Sequence, residues 1–341
     1  MATMKDVAQL AGVSISTISI VINGKAKERN IPETTYKKVM DAIETLGYQP
    51  NVSARRLRNL DSPKPIIALY WPLDTRTTML AALLTGIQIE LQKNQFDCEL
   101  VIQTYNNDEI SNHSKEIINN TYTGVIIGAT SDIDLDYLES LSPRIPVILI
   151  NRKSNKFSTV SVDSTDVATE AISLLHKNSI KEVTIIEAEN PYVASSQRIR
   201  AFLNSCKQNN ILVDKENIIT APNSFAGGIE AVNRYINLDN KFKTVFVESD
   251  LISLGMICRF NELNIKIPDD VSIISIGTIG SDFTKYSTPS ITTIDIPAEK
   301  IASSAISILV ETLSKKNLQE RLIPVHKKIQ PITYIRKSFQ I

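Results

Sequence analysis

The chain has 341 residues, 43% of them apolar, with 37 basic and 37 acidic side chains, enough for at least one large core and too much for a small binding module alone. Cys98, Cys206 and Cys258 stand in no CxxC pair and His113, His176 and His326 are far apart, which excludes a disulfide or zinc framework, fits a reducing cytoplasm and leaves no cofactor or metal expected. No apolar run approaches membrane-spanning length and the N-terminus carries no signal peptide, so a cytoplasmic protein without membrane association is expected.

The first predicted helix runs from Lys5 to Ala11, with Val7, Leu10 and Ala11 at helical spacing, and Gly12 breaks it. Ser14 is a good N-cap for a second helix, Ile15 to Ile22. Two short helices across a three-residue turn make a helix-turn-helix, whose second helix enters the major groove of DNA. A third helix, Glu33 to Leu46, opens behind Pro32, closes at Gly47 and offers Val39, Ile43 and Leu46 as a buried face. Residues 1–60 carry nine Lys/Arg against five Asp/Glu, a net +4 that leaves −4 on the remainder. A basic end on a slightly acidic body attracts phosphates at one end only.

From Gln49 to Pro65 the segment QPNVSARRLRNLDSPKP is polar, basic and bracketed by prolines, as a linker should be. Its middle can still be helical. Asn51 can cap residues 52–58 and place Val52, Arg55, Arg56 and Arg58 around Leu57. So short a helix is marginal alone because nucleation is unfavourable, so full formation is expected only on docking.

From Met4 to Leu57 the chain resembles the lactose-repressor/galactose-repressor (LacI/GalR) family of bacterial transcriptional regulators. The resemblance is carried by Asp6-Val7-Ala8, Ala11-Gly12-Val13-Ser14, Thr17, Ser19, Val21, Asn23-Gly24, Leu46-Gly47-Tyr48, Pro50-Asn51 and Ala54-Arg55-Arg56-Leu57, in family order. It implies DNA contacts from Ser14, Ile15, Ser16, Thr17, Ser19 and Ile20, with Ile15, Ser16 and Ile20 facing the bases. It implies further contacts from Asn23, Lys25, Lys27, Arg29, Tyr48, Asn51, Ala54 and Arg55, and a minor-groove wedge at Leu57 in a hinge helix paired with its dimer mate. Such a wedge offsets an unstacking cost of roughly a few kcal/mol per base step with a bent duplex that touches more protein. Two departures stand out: the connection KAKERNIPE is longer than the usual spacer, and Ser53 replaces a customary apolar residue.

After Pro65, short apolar runs alternate with helical stretches. IIALYW (66–71), CELVIQ (98–103), GVIIGA (124–129) and PVILIN (146–151) are predicted strands, separated by amphipathic segments such as 80–93. A second series follows Val160: EVTIIEA (182–188), TVFVES (244–249) and VSIISIG (271–277), with helices near 164–177, 194–210, 225–238 and 250–263. Strands apolar on both faces and separated by helices mean parallel sheets covered by helices, and two series mean two doubly wound α/β lobes.

This part resembles the effector core of the same family, which shares the fold of periplasmic sugar-binding proteins. The cues are Asn151-Arg152, VSVD ending at Asp163, Arg198 in QRIRAF, SDLISLG (249–255), IPDDVSIISIG (267–277) and TPSITTI (288–294). The expected organisation is an all-α helix-turn-helix headpiece (1–50), a hinge (51–62) and an α/β core (63–341). A helix at 297–316 and a final strand near 325–335 then cross between lobes, giving an N-lobe of 63–162 and 295–322 and a C-lobe of 163–292 and 325–341.

Ligands of doubly wound folds sit at the carboxyl ends of strands, and a cleft between two lobes sets such ends face to face. The candidates are Trp71 and Pro72, Asn151 and Arg152, Ser249 and Asp250, and Gly277, joined by Arg198, which matches an arginine that family members use for effectors. Gly277 and Ser249 replace an aspartate and an asparagine frequent in sugar-binding members. A carbohydrate effector is the leading class, with an anionic or modified one as the alternative. An enzyme or a secreted solute-binding protein would use the same cleft. The chain offers no G-x-G-x-x-G after a strand, no Walker lysine and no G-x-S-x-G elbow, and a solute-binding protein would carry no headpiece. The expected partners are two-fold symmetric operator DNA, a small-molecule effector and a second copy of the chain.

Overall fold

The computed structural model describes residues 4–22, 26, 29, 31–46, 64–72, 77–118, 121–315 and 323–339. The chain divides into two compact units, Met1–Lys64 and Pro65–Ile341.

In the first unit α1 (Met4–Ala11), α2 (Ile15–Ile22) and α3 (Glu33–Leu46) form a helical trio, the third within the bounds that Pro32 and Gly47 predict. Val7, Ile18 and Val39 are fully buried at its centre, and Ala8, Ala11, Val21 and Ala42 close around them. Three contact residues from three helices make a small core whose integrity depends on each. Ser14 caps α2 as expected, its Oγ accepting from the Thr17 N–H at 3.2 Å.

The second unit holds two lobes. The N-lobe runs β1 (Ile66–Pro72), α4 (Thr77–Lys93), β2 (Glu99–Tyr105), α5 (Ser114–Ile118), β3 (Gly124–Gly128), α6 (Asp132–Ser140), β4 (Val147–Ile150) and β5 (Ser158–Val162). The C-lobe runs α7 (Ser164–Lys177), β6 (Thr184–Ala188), α8 (Val193–Gln208), β7 (Ile218–Ala221), α9 (Phe225–Tyr235), β8 (Thr244–Val247), α10 (Asp250–Glu262), β9 (Ser272–Gly277), α11 (Ser281–Lys285) and β10 (Thr292–Asp295). Helix α12 (Ala298–Ser314) returns to pack on α4, and β11 (His326–Ile329) and β12 (Ile332–Tyr334) end the chain.

The sheets share one order, β2-β1-β3-β4-β5-β11 and β7-β6-β8-β9-β10-β12. Every pairing is parallel except β10 with β12. Central strands such as Val147–Ile150 and Thr244–Val247 are buried throughout, which explains their unbroken apolar runs. Strands β5 and β7 mix buried with half-buried positions, a pattern too short to register as an apolar run. In each sheet the chain reverses direction across the order at the first strand, so the carboxyl ends around it form a crevice.

The segment expected as one strand, 325–335, is two. β11 joins the N-lobe sheet beside β5, and β12 joins the C-lobe sheet beside β10. Pro331 between them donates no N–H and restricts Gln330 to extended backbone, so the ladder stops and the chain changes sheet. Residues 326–329 therefore belong to the N-lobe sheet and not, as the sequence suggested, to the C-lobe. Lys328 Nζ reaches Asp166 Oδ2 at 2.8 Å and Thr333 Oγ1 donates to Glu170 Oε2 at 2.7 Å, tying both final strands to α7. Among the described residues no helix is long and apolar enough to cross a membrane.

Candidate functional site

Helix α2 presents one face to the core and the other outward. Ile18 and Val21 are buried, whereas Ser14, Ile15 and Ser16 are exposed and Thr17, Ser19 and Ile20 are half-exposed. Neither Ile15 nor Ile20 belongs to the apolar cluster beneath. The outward face thus combines four hydroxyls with two isoleucines, a surface suited to base edges and thymine methyl groups. Arg29 is also exposed. Asn23, Lys25, Lys27, Tyr48, Asn51, Ala54, Arg55 and Leu57 lie outside the described residues, as does the predicted hinge helix.

The second surface is a cleft of about 860 Å³, open mouth included, between the strand ends of the two lobes. Trp71, the penultimate residue of β1, forms one wall. Gly128 ends β3 against it, where a Cβ would stand 2.3 Å from the indole, so only glycine admits the ring in this position. Two of the residues that follow strands here adopt left-handed backbone, Ala129 (φ 59°) and Asn151 (φ 54°). Asparagine tolerates that region and alanine does so at a cost, and such outliers gather at binding sites. The Asn151 Oδ1 accepts from the Val162 N–H at 3.2 Å, which fixes its side chain to β5.

Arg152 is 7% exposed and donates from Nη2 to Asp132 Oδ1 at 2.6 Å, while its buried Nη1 has no partner. Arg198, on the second turn of α8, is 6% exposed. Its Nε is buried without a partner, and among the described residues its guanidinium makes no ion pair within 4 Å. Burial pulls its pKa down to about 10, and the nearby Glu248 charge opposes the shift, so the group stays cationic at neutral pH. Glu248 follows β8 and accepts from the Ala188 N–H at 2.8 Å. Burial pushes its carboxyl above the ordinary range, with the Ala188 N–H, Ser195 and Arg198 pulling the other way. The buried Thr130 Oγ1 and Asn223 Oδ1, on the same lining, also lack partners. Four side chains with unused hydrogen-bonding capacity thus line one cavity, and such groups cost about 1–3 kcal/mol each when left unpaired.

Of the residues predicted to line this cleft, Trp71, Asn151, Arg152, Arg198 and Ser249 do so, and Pro72, Asp250 and Gly277 do not. Pro72 is buried beside Tyr105 at the end of the β1–β2 ladder. Asp250 lies one layer behind: its Oδ2 accepts from the Thr278 and Ile279 N–H groups at 2.8 and 3.0 Å and its Oδ1 from Thr278 Oγ1 at 2.9 Å. It thereby holds in place the two residues that do face the cleft. Gly277 is pressed on β10, where a Cβ would come 1.8 Å from Asp295 Oδ1. Sequence reasoning missed Thr130, Ser195, Asn223, Glu248 and Thr278. Each follows a strand or opens a helix, so strand-end position was the available signal.

Residues 3–51 match the family described as bacterial regulatory proteins, lacI family, and residues 175–338 match the periplasmic binding protein-like domain. The probable HTH-type transcriptional repressor ExuR of Bacillus subtilis (strain 168) is 28% identical, over 98% of this chain and 100% of its own. The crystal structure of a LacI family transcription regulator from Clostridium acetobutylicum is 34% identical, with a TM-score of 0.73, over 79% of this chain and 99% of that one. The cellobiose complex of the transcriptional regulator CelR has the same fold, with a TM-score of 0.66 at 20% identity, over 99% of this chain and 100% of that one.

Proposed function

The chain belongs to the lacI family of bacterial regulatory proteins, and from that premise we propose that it is a repressor whose operator binding is set by a small molecule in the interlobe cleft. The observation that carries the reading is the set of partnerless polar atoms on Thr130, Arg152, Arg198 and Asn223, which a ligand would satisfy. Contributions from both lobes mean that binding favours one lobe arrangement over others, the requirement for any ligand-driven shift. A carbohydrate suits donors and acceptors set around an apolar ring wall such as Trp71, and the cellobiose held by CelR indicates that the fold accommodates one.

On the DNA side α2 reads a half-site and two copies of the chain read a two-fold operator, because one recognition helix covers only half. Arg29, the loop lysines and the hinge arginines supply the phosphate contacts, and Leu57 the minor-groove wedge. The cytoplasm, where the chromosome lies, is the place of action. No catalytic role is assigned to the cleft.

Operator selection with the full chain, repeated with and without a panel of sugars and sugar derivatives, tests the proposal. A palindromic site whose affinity changes when a cleft ligand is added is the expected result. A ligand that binds the cleft and leaves operator affinity unaltered would overturn it.

A further inference from the structure

Arg198 stands out among the described residues of the cleft. It is a cation more than nine-tenths buried, with five N–H donors and, among the described residues, neither an ion pair within 4 Å nor a hydrogen bond. A buried charge is tolerated when it is paired, and left alone it is strongly unfavourable. The opposite lobe repeats the situation in part: Asp132 satisfies Arg152 Nη2 but not the buried Nη1. We infer that the effector is a small anion, a polyhydroxylated molecule bearing a carboxylate or phosphate whose charge is shared by Arg198 of the C-lobe and Arg152 of the N-lobe. This rests on the reading of the cleft as the effector site.

Three further observations agree. Among the described residues, the Lys, Arg, Asp and Glu side chains on the lining are Arg152, Arg198 and Glu248, so cations outnumber carboxylates. Burial raises the Glu248 carboxyl above its ordinary range, and this side chain accepts from the Ala188 N–H and makes no ion pair with Arg198 within 4 Å. Val193, Ala194 and Ser195 also line the cleft, and they form the first turn of the 16-residue α8, whose free N–H groups and dipole favour negative charge. A neutral sugar would satisfy donors here without offsetting charge. The remaining acceptor, Asn223 Oδ1, suits a hydroxyl on the rest of the molecule. An anion gripped by both arginines would also draw the lobes together, so recognition and closure become one event.

The test is calorimetric titration of the full chain with hexoses and pentoses, each offered as the neutral sugar, its carboxylate and its phosphate ester. An anionic member should bind at least about tenfold more tightly than its neutral parent, and the arm that binds identifies carboxylate or phosphate. Arg152→Gln and Arg198→Gln should each weaken that anion by about tenfold or more and weaken the neutral parent far less. The ligand-free melting temperature of Arg198→Gln should equal or exceed that of the wild type, because it removes a buried charge without an ion pair, whereas Arg152→Gln also gives up the Asp132 ion pair and should melt lower. Should either fail to fold, Arg152→Lys or Arg198→Lys, which keeps the charge and loses the fork, should weaken the anion by an intermediate factor. A neutral sugar that binds as well as its anionic counterpart, anion binding undiminished in both variants, or no anionic ligand at all would each overturn the inference. Operator affinity measured in parallel separates the two readings. A neutral sugar that binds and shifts operator affinity removes the anion and keeps the regulator. An anion that needs both arginines and leaves operator affinity unchanged does the reverse.

Discussion

The exposed face of α2 and the interlobe cleft, the two surfaces proposed to bind partners, are built under opposite constraints. On α2, Ser14, Ile15 and Ser16 stand in solvent above a core of Val7, Ile18 and Val39 that is complete without them. In the cleft, Arg152 and Arg198 are buried and retain N–H groups that no protein atom satisfies. A surface of the first kind can change its side chains with little effect on folding, because binding and packing groups are separate. One of the second kind holds binding capacity as an unfavourable feature of the empty fold, and a ligand relieves it. Specificity can drift on the first surface and is coupled to stability on the second.

The largest expected effect breaks the first surface from beneath. Ile18 is fully buried at the centre of a small core, and Ile18→Ala should cost about 2–5 kcal/mol. A unit of this size has little stability to lose, so the headpiece should unfold and operator binding should vanish. Ligand binding in the second unit should persist, as titration would show. Parallel loss of both would mean that the two units do not fold independently.

The contrast also explains what could be read from the sequence. The headpiece is one contiguous stretch, so Pro32, Gly47 and the Ser14 cap bounded its helices without knowledge of anything distant. The sheets were legible because their strands are buried on both faces. Their last members were not, since Pro331 separates β11 from β12 and β11 pairs with β5, more than 150 residues away. In the cleft, strand-end position located Trp71, Asn151 and Ser249 but could not say which side chain at each end faces the ligand. Asp250 and Ser249 are adjacent, yet only the second lines the cavity, and the hydrogen bonds from Thr278 and Ile279 decide that. No local pattern encodes it.

Asp250 sharpens the comparison, because a supporting residue of the cleft should also feel its burial. Desolvation raises its carboxyl pKa from 3.8 to about 6, against the pull of the Ile279 and Thr278 donors, and the nearby Asp295 charge adds to the rise. The folded chain then holds this proton more tightly than the unfolded chain. The resulting stability is present below about pH 4 and is lost as pH rises through about 6, a swing of about 3 kcal/mol. The stability of the wild type relative to Asp250→Asn should fall by about that amount between pH 4 and pH 7 in denaturant titrations. A difference that stays constant with pH would refute the assignment.

Within the cleft, Arg198→Ala removes the fork and leaves the headpiece untouched. Each lost bond to a charged group is worth roughly 1.5–3 kcal/mol, so effector affinity should fall by tenfold or more while operator binding survives. The variant should melt no lower than the wild type when empty, the mark of a residue kept for its ligand. A folded variant that still responds at unaltered effector concentrations would remove Arg198 from the site.

The smallest effect on stability should come from Ile15, 45% exposed and outside the headpiece core. Ile15→Ala should change stability by less than about 0.5 kcal/mol. Its consequence should appear only in readout. An isoleucine cannot donate to guanine acceptors and packs best on a thymine methyl group, so the wild type should select A·T pairs beneath Ile15 and Ile20. In Ile15→Ala the preference under that position should relax while the rest of the half-site and the salt dependence stay fixed, because no charge has been removed. Selection of strictly required guanines beneath either isoleucine in the wild type would show that these side chains do not meet the base edges. The exposed face of α2 would then owe its specificity to Ser14, Ser16 and Thr17 instead.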